Sequence, residues 1–184
     1  PRIQLRFFGG WDFQAPDVDA ADYVSLGYHK GVPLGSALLN NEAAKAPTFM
    51  IAATKDGEGA NLDRVQVIKG WTKDGQTFEK IYDVNWAGDR KIAADGKLPA
   101  IGNTVNVKAA TYDNSIGAAE LTTVWTDPDF DPAIRTFYYV RVLEIPTPRW
   151  STYDAARHDL TLPDDVPRTV QERAYSSPIW YSPK

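Results

Sequence analysis

Cysteine is absent from the 184 residues, which excludes disulfides, thiolate-held metals and a cysteine nucleophile. Histidine occurs only at His29 and His158, in Tyr28-His29-Lys30 and Arg157-His158-Asp159. Neither H-x-H nor H-E-x-x-H can therefore be assembled, and a metal site built from several histidines of this chain is excluded. Phosphate-binding glycine loops of the G-x-x-x-x-G-K-[ST] and G-x-G-x-x-G kinds are missing, so Gly9-Gly10, Gly31 and Gly35 read as turn glycines. No G-x-S-x-G elbow presents a serine nucleophile. Excess positive charge is lacking as well: the net charge is −4 and the isoelectric point about 5.2. That balance argues against nucleic acid and against an anionic membrane surface as partners. No run reaches the roughly 20 apolar residues of a membrane span.

What is present describes a globular chain. Hydrophobic residues make up 43%, aromatic residues 12% and charged residues 24%, the mixture of a packed domain and not of a disordered tail. The length favours one domain, 1–184, which can bury roughly 70% of its unfolded surface. The chain opens at Pro1 and runs straight into Arg2–Phe8 without an initiator methionine or basic leader. It therefore reads as the C-terminal fragment, or a processed product, of a longer protein.

Alternation of period two dominates. Arg2–Phe8 is expected to be a strand with Ile3, Leu5 and Phe7 on one face, ended by Gly9-Gly10. Trp11–Asn41 reads as a long polar loop, with a short helical turn started by Ser36 over Ala37–Glu42. Thr48–Thr54 is almost continuously apolar, as in a strand covered on both faces. Arg64–Trp71 and Thr77–Trp86 flank Lys73-Asp74-Gly75, whose Asp-Gly supplies the positive φ of a tight hairpin. Phe78, Tyr82, Val84 and Trp86 fall on one face of it. Residues 89–103 form a loop with a turn at Asp95-Gly96. Thr104–Val107 and Glu120–Thr126 are expected as short strands around Asp113-Asn114-Ser115, and Asp131-Pro132 starts a helical turn. Thr136–Ile145 is rich in β-branched and aromatic residues and should be central. A helical turn is expected at Tyr153–His158, and Arg173–Tyr181, broken by Pro178, as an edge strand. The fold class is therefore mainly β: an antiparallel sheet or sandwich with long loops and only short helical turns.

Two constellations invite functional readings. Asp127, Asp129 and Asp131 have the alternate spacing that opens a calcium loop, but the glycine and glutamate that complete such a loop are missing, which favours a capped turn. Six tryptophans and nine tyrosines could stack on sugar rings. Most fall on strand positions and read as core, leaving Trp11, Trp150 and Trp180 as candidates for a carbohydrate- or ligand-binding module.

The wording of long segments carries a resemblance. Arg2–Phe13 (Arg-Ile-Gln-Leu-Arg-Phe-Phe-Gly-Gly-Trp-Asp-Phe), Gly59–Trp71, Gly102–Val105, Val124–Pro132, Tyr138–Trp150 and Gln171–Tyr181 together resemble the C-terminal part of a bacterial domain-of-unknown-function family, number three-six-zero-four. The resemblance covers nearly the whole chain. It implies that full members are metal-dependent phosphoesterases of the polymerase-and-histidinol-phosphatase type, with metal-binding motifs upstream of this region. On that reading the chain holds no cofactor of its own, its divalent metal belongs to the missing N-terminal part, and that part is its principal partner. No catalytic residue and no metal ligand is assigned within it. The polar loop residues Asp89, Arg90 and Asn103 and the proline-flanked Arg149-Trp150 are the candidate ligand-binding positions. Phe8 and Trp11 are expected to form an apolar patch toward the missing part.

Overall fold

The computed structural model describes residues 1–39 and 45–183. In chain order the elements are β1 (Gln4–Gly10), a 3-10 turn (Ala15–Asp19), α1 (Tyr23–Lys30), β2 (Gly31–Pro33), β3 (Ala37–Leu38), β4 (Thr48–Thr54), β5 (Leu62–Lys73), β6 (Gln76–Trp86), β7 (Glu120–Thr126), β8 (Thr136–Glu144), β9 (Thr147–Pro148), α2 (Trp150–His158), β10 (Thr169–Val170), β11 (Arg173–Tyr175) and β12 (Ile179–Tyr181). Strand accounts for 40% and helix for 12%, so the chain is mainly β as its alternation predicts. No helix among the described residues is long and apolar enough to cross a membrane.

Two sheets face each other. One has the order β2-β1-β4-β7 and the other β3-β12-β8-β5-β6, with β11 also pairing β8. Strand parity explains the core between them. In β8, Tyr138, Val140, Val142 and Glu144 turn inward while the residues between them are only partly covered. Tyr138, Val140 and Val142 meet Val65 and Val67 of β5, Phe7 of β1, and Phe49, Ile51 and Ala53 of β4. The ring of Phe49 sits 4.6 Å from that of Tyr138 and 5.5 Å from that of Phe7. The second face of β4 is covered too: Met50 and Ala52 pack with Phe8, Phe13 and Val18 beneath α1. This double burial is why Thr48–Thr54 reads as an unbroken apolar run.

The hairpin stands where Asp-Gly puts it. Asp74 and Gly75 have φ of 51° and 75°, matching the twist of the flanking strands. β7 and β8 also lie where alternation places them, and β8 is central.

Several expectations are corrected. Gly9-Gly10 does not end β1 but continues it, because rings occupy the space side chains would need: a Cβ on Gly10 would lie 2.8 Å from Phe13. The stretch after Trp11 holds a 3-10 turn and α1. Asp17 caps the Gln14 N–H at 2.7 Å and also anchors Lys30 at 2.8 Å, fixing both ends of that segment. Ala37–Leu38 is a strand parallel to β12, not the start of a helical turn; residues 40–42 of that range lie outside the described residues. Thr104–Val107 is irregular apart from one bridge, Asn106 to Thr111. Pro132–Ala133 forms a turn capped by the Asp131 carboxylate on Ala133 N–H at 2.9 Å, without helix. The strand expected at Arg2–Phe8 does pair within this chain, from Gln4 onward, but the patch expected of Phe8 and Trp11 does not form. Phe8 is 3% exposed, lying against Gly27 and edge-on to Tyr28. Trp11 packs on Phe130 and Tyr181 and donates its indole N–H to the Leu39 carbonyl.

Candidate functional site

The segment after β7 is tied to the β5–β6 hairpin through Asp127 and Asp129, which meet Lys69, Lys80 and Tyr82. The result is a cleft of about 330 Å³, lined by Lys69, Trp71, Lys73, Lys80, Tyr82 and Asp129 among others. Strand pairing sets Trp71 opposite Phe78 and Lys69 opposite Lys80. Lys69 continues the inward parity of Val65 and Val67, so its charge is carried into the sandwich. There Nζ donates to Asp127 Oδ2 at 2.6 Å and to the Asp129 carbonyl at 2.7 Å, while facing the rings of Trp71 and Tyr138. Tyr138 donates its hydroxyl to the same carboxylate oxygen at 2.7 Å. Burial, reinforced by Asp127, raises the Tyr138 hydroxyl far above the ordinary tyrosine value.

At the mouth of the cleft Asp129 accepts from Lys80 and, at 2.7 Å, from Tyr82. The Lys80 bond first, and the Tyr82 bond after it, hold the Asp129 carboxyl below its usual range. Burial and the bond to Asp129 raise Tyr82. Asp127, Asp129 and Asp131 thus each serve a different partner: the core lysine, the mouth of the cleft and a turn. Among the described residues no three His, Cys, Asp or Glu converge so as to hold a metal ion. His29 lies on α1, its Nδ1 2.8 Å from the Ser25 carbonyl, and His158 ends α2. These residues do not fit a divalent-metal centre.

The sequence candidates fall in separate places. Arg90 clasps its own loop: it donates to the carbonyls of Ala87, Pro99 and Asp63 at 2.9–3.1 Å and lies 2.6 Å from the Asp63 carboxylate. Its carbonyl accepts the Trp86 indole N–H at 2.8 Å. Arg64 and Gln171 complete the cluster around the buried Asp63. Asp89 is exposed beside this clasp, and Asn103 turns the chain by accepting from Val105 N–H. Arg149 caps α2 at its N-terminus, and Trp150, 69% exposed, is the first residue of that helix.

Trp150 lines a second cleft, of about 380 Å³, whose wall includes Glu144. Glu144 is 1% exposed and its Oε1 has no hydrogen-bond partner among the described residues. Burial first, with Glu172 and Asp56 adding, pushes its carboxyl up to about 7. Sequence reasoning missed Lys69 and Glu144, and it singled out Asp127 only as part of a calcium-loop spacing or a capped turn, not as the partner of a buried lysine. Strand parity was the signal available, since it turns a lysine inward after Val65 and Val67 and a glutamate inward after Val140 and Val142.

The chain belongs to the family described as Protein of unknown function (DUF3604), whose profile matches residues 1–183. No curated protein and no solved structure matches it.

Proposed function

We propose that this member of the family is the β-rich accessory portion of a larger protein of the metal-dependent phosphoesterase type, and that it contributes binding and support while the metal chemistry resides upstream. The observation that carries the reading is how the chain uses its ionisable groups. Lys69 is spent on Asp127, and Arg90 on Asp63 and three carbonyls. Metal-assisted hydrolysis needs several fixed ligands around one ion, whereas these groups hold loops against sheets. The test assays the 184-residue chain and the longer natural protein for hydrolysis of an aryl phosphate with added manganese or zinc. Activity is expected only in the longer protein. Turnover by the 184-residue chain, or a longer protein without activity, overturns the reading.

A second reading, a carbohydrate-binding module, is favoured by one specific feature. On the outer face of the larger sheet, Trp180, Phe137, Tyr139 and Tyr175 form a continuous aromatic row with ring spacings of 5.1, 6.3 and 6.3 Å. Trp180 and Tyr175 at its ends are 45% and 53% exposed, so flat faces are open for stacking. Quenching of tryptophan fluorescence by oligosaccharides, lost in Trp180→Ala and retained in Trp11→Ala, supports this reading. Absence of quenching rejects it.

A further inference from the structure

We propose that the outer face of the larger sheet binds an acidic oligosaccharide, with pyranose rings on the aromatic row and a sugar carboxylate on Arg141 and Arg173. The inference rests on the sugar-binding reading and names its class of ligand. Parity sets the row on the opposite face of β8 from Glu144, and none of its residues borders the cleft at Pro1.

The row lies along the sheet. Phe137 reaches across Gly70, where a Cβ would fall 2.3 Å from its ring, so the missing side chain in β5 lets the ring settle there. Tyr139 is turned only 13° from Phe137. It is paired with Ile68, which is 1% exposed although it stands on the outer face. The C–H face of a pyranose packs on aromatic surface of this kind.

At one end the row turns polar. Tyr175 is paired with Arg141 between β11 and β8. The guanidinium groups of Arg173, foremost, and of Arg141 meet the Tyr175 hydroxyl and hold it below the ordinary tyrosine value. Arg141 Nε donates to Gln66 Oε1 at 2.8 Å, and Gln66 donates on to Asp83 at 2.8 Å. This ladder fixes the Arg141 guanidinium while committing its Nε only to an uncharged amide. Asp83 is already shared by Gln66 and Arg64, and Glu79 lies toward the other end of the row, across Gly70 from Phe137. Among the described residues neither Arg141 nor Arg173 has an ion-pair partner.

Two guanidinium groups without a carboxylate, beside aromatic surface, suit a planar carboxylate carried on a sugar ring. The carboxylate takes parallel N–H bonds while the ring stacks. A neutral sugar would leave both charges unanswered, and an acidic peptide would leave the row unused. The net charge of −4 disfavours a polyanion held by charge alone.

The test is fluorescence and calorimetric titration of the 184-residue chain, in EDTA, with hexagalacturonate, the same oligomer methyl-esterified at its carboxyls, and hexaglutamate. Hexagalacturonate is expected to bind saturably and about tenfold or more tighter than its ester, and hexaglutamate not to saturate. Arg173→Gln, at an exposed position, is expected to weaken hexagalacturonate about tenfold and leave the ester unchanged. Tyr139→Ala is expected to weaken both oligomers, with circular dichroism showing each variant folded. Equal binding of acid and ester, or parental affinity in Arg173→Gln, overturns this inference and leaves the sugar-binding reading standing. Binding of neither oligomer overturns both. Hexaglutamate bound as tightly as hexagalacturonate assigns the face to charge alone, and a dimer in sedimentation that Tyr139→Ala dissolves assigns it to a second copy; either result overturns the proposal.

Discussion

Lys69 and Asp127 stand 2.6 Å apart with side chains 6% and 0% exposed, an ion pair enclosed between the two sheets. Enclosure makes the pair costly to break from one side, because the remaining charge has no water to turn to. Asp127 also receives Tyr138 and holds the Asp129 N–H at 2.9 Å, so it ties β5, β8 and the segment after β7 to one carboxylate. Asp127→Ala should therefore destabilise the fold by about 3–5 kcal/mol in urea unfolding. The triple variant Lys69→Met, Asp127→Leu, Tyr138→Phe, which removes the three buried polar side chains together and frees only the backbone N–H and carbonyl of the exposed Asp129, should recover most of that loss. A triple variant as unstable as the single one would show that the pair is needed for more than mutual neutralisation.

Arg90 and Asp63 give a second, local prediction. Arg90→Lys keeps the charge but cannot satisfy three carbonyls and a carboxylate from one planar fork. Hydrogen exchange should accelerate across residues 87–99 and at the Trp86 indole, with β4 and β8 still protected. Uniform acceleration over the whole chain would mean that the clasp supports the global fold and not only its loop.

Why some of this was readable in advance and some not follows from range. The Asp74-Gly75 turn, β4 and β8 are set by neighbours in sequence: positive φ, an apolar run, alternating valines and aromatics. β3 has only two residues, and its pairing partner β12 lies some 140 positions away, so nothing local announces it. α1 is eight residues long with a glycine inside it. It exists because Gly27 lets Phe8 press against the helix, a tertiary reason. The clefts are hidden for the same cause. Asp56, Glu144, Trp150 and Glu172 are unremarkable singly and line one cleft only when the β8–α2 corner and the 56–60 turn meet.

The stability profile against pH should carry the signature of Glu144. Its folded carboxyl titrates near 7 against an ordinary 4.5, so the folded state binds the proton more tightly. Stability from this group is therefore fully present below about pH 4.5 and falls as pH rises toward 7, after which the loss is constant. Asp129, held low by Lys80 and Tyr82, acts oppositely: its contribution is present above 3.8 and lost as pH falls below it. Urea midpoints should thus peak on the mildly acid side. Glu144→Gln should gain on the parent at about pH 8 and not near pH 4.5. An equal difference at both pH values would place the Glu144 titration elsewhere.

The turn of the hairpin isolates a backbone effect. At Gly75 a Cβ would meet nothing within 4 Å, but φ is +75°. Gly75→Ala should cost about 1–2 kcal/mol through conformation alone, and Gly57→Ala, at an open position without positive φ, should cost almost nothing. Equal costs at the two positions would remove the backbone explanation.

Gly70 and Phe137 are directly paired across β5 and β8, and the Phe137 ring lies over the glycine. A Cβ on Gly70 would fall 2.3 Å from that ring, too close for any van der Waals contact, and the ring is itself held between Trp180 and Tyr139. Gly70→Ala should therefore destabilise by about 1–3 kcal/mol despite alanine's lower entropy cost in a strand. The test is a double-mutant cycle with Phe137→Ala. If the ring is the obstacle, the alanine at 70 should cost little or become stabilising once the ring is gone, giving a coupling of about 1 kcal/mol or more. Strict additivity would mean that β5 shifts to accommodate the methyl group and that Phe137 covers Gly70 without constraining it.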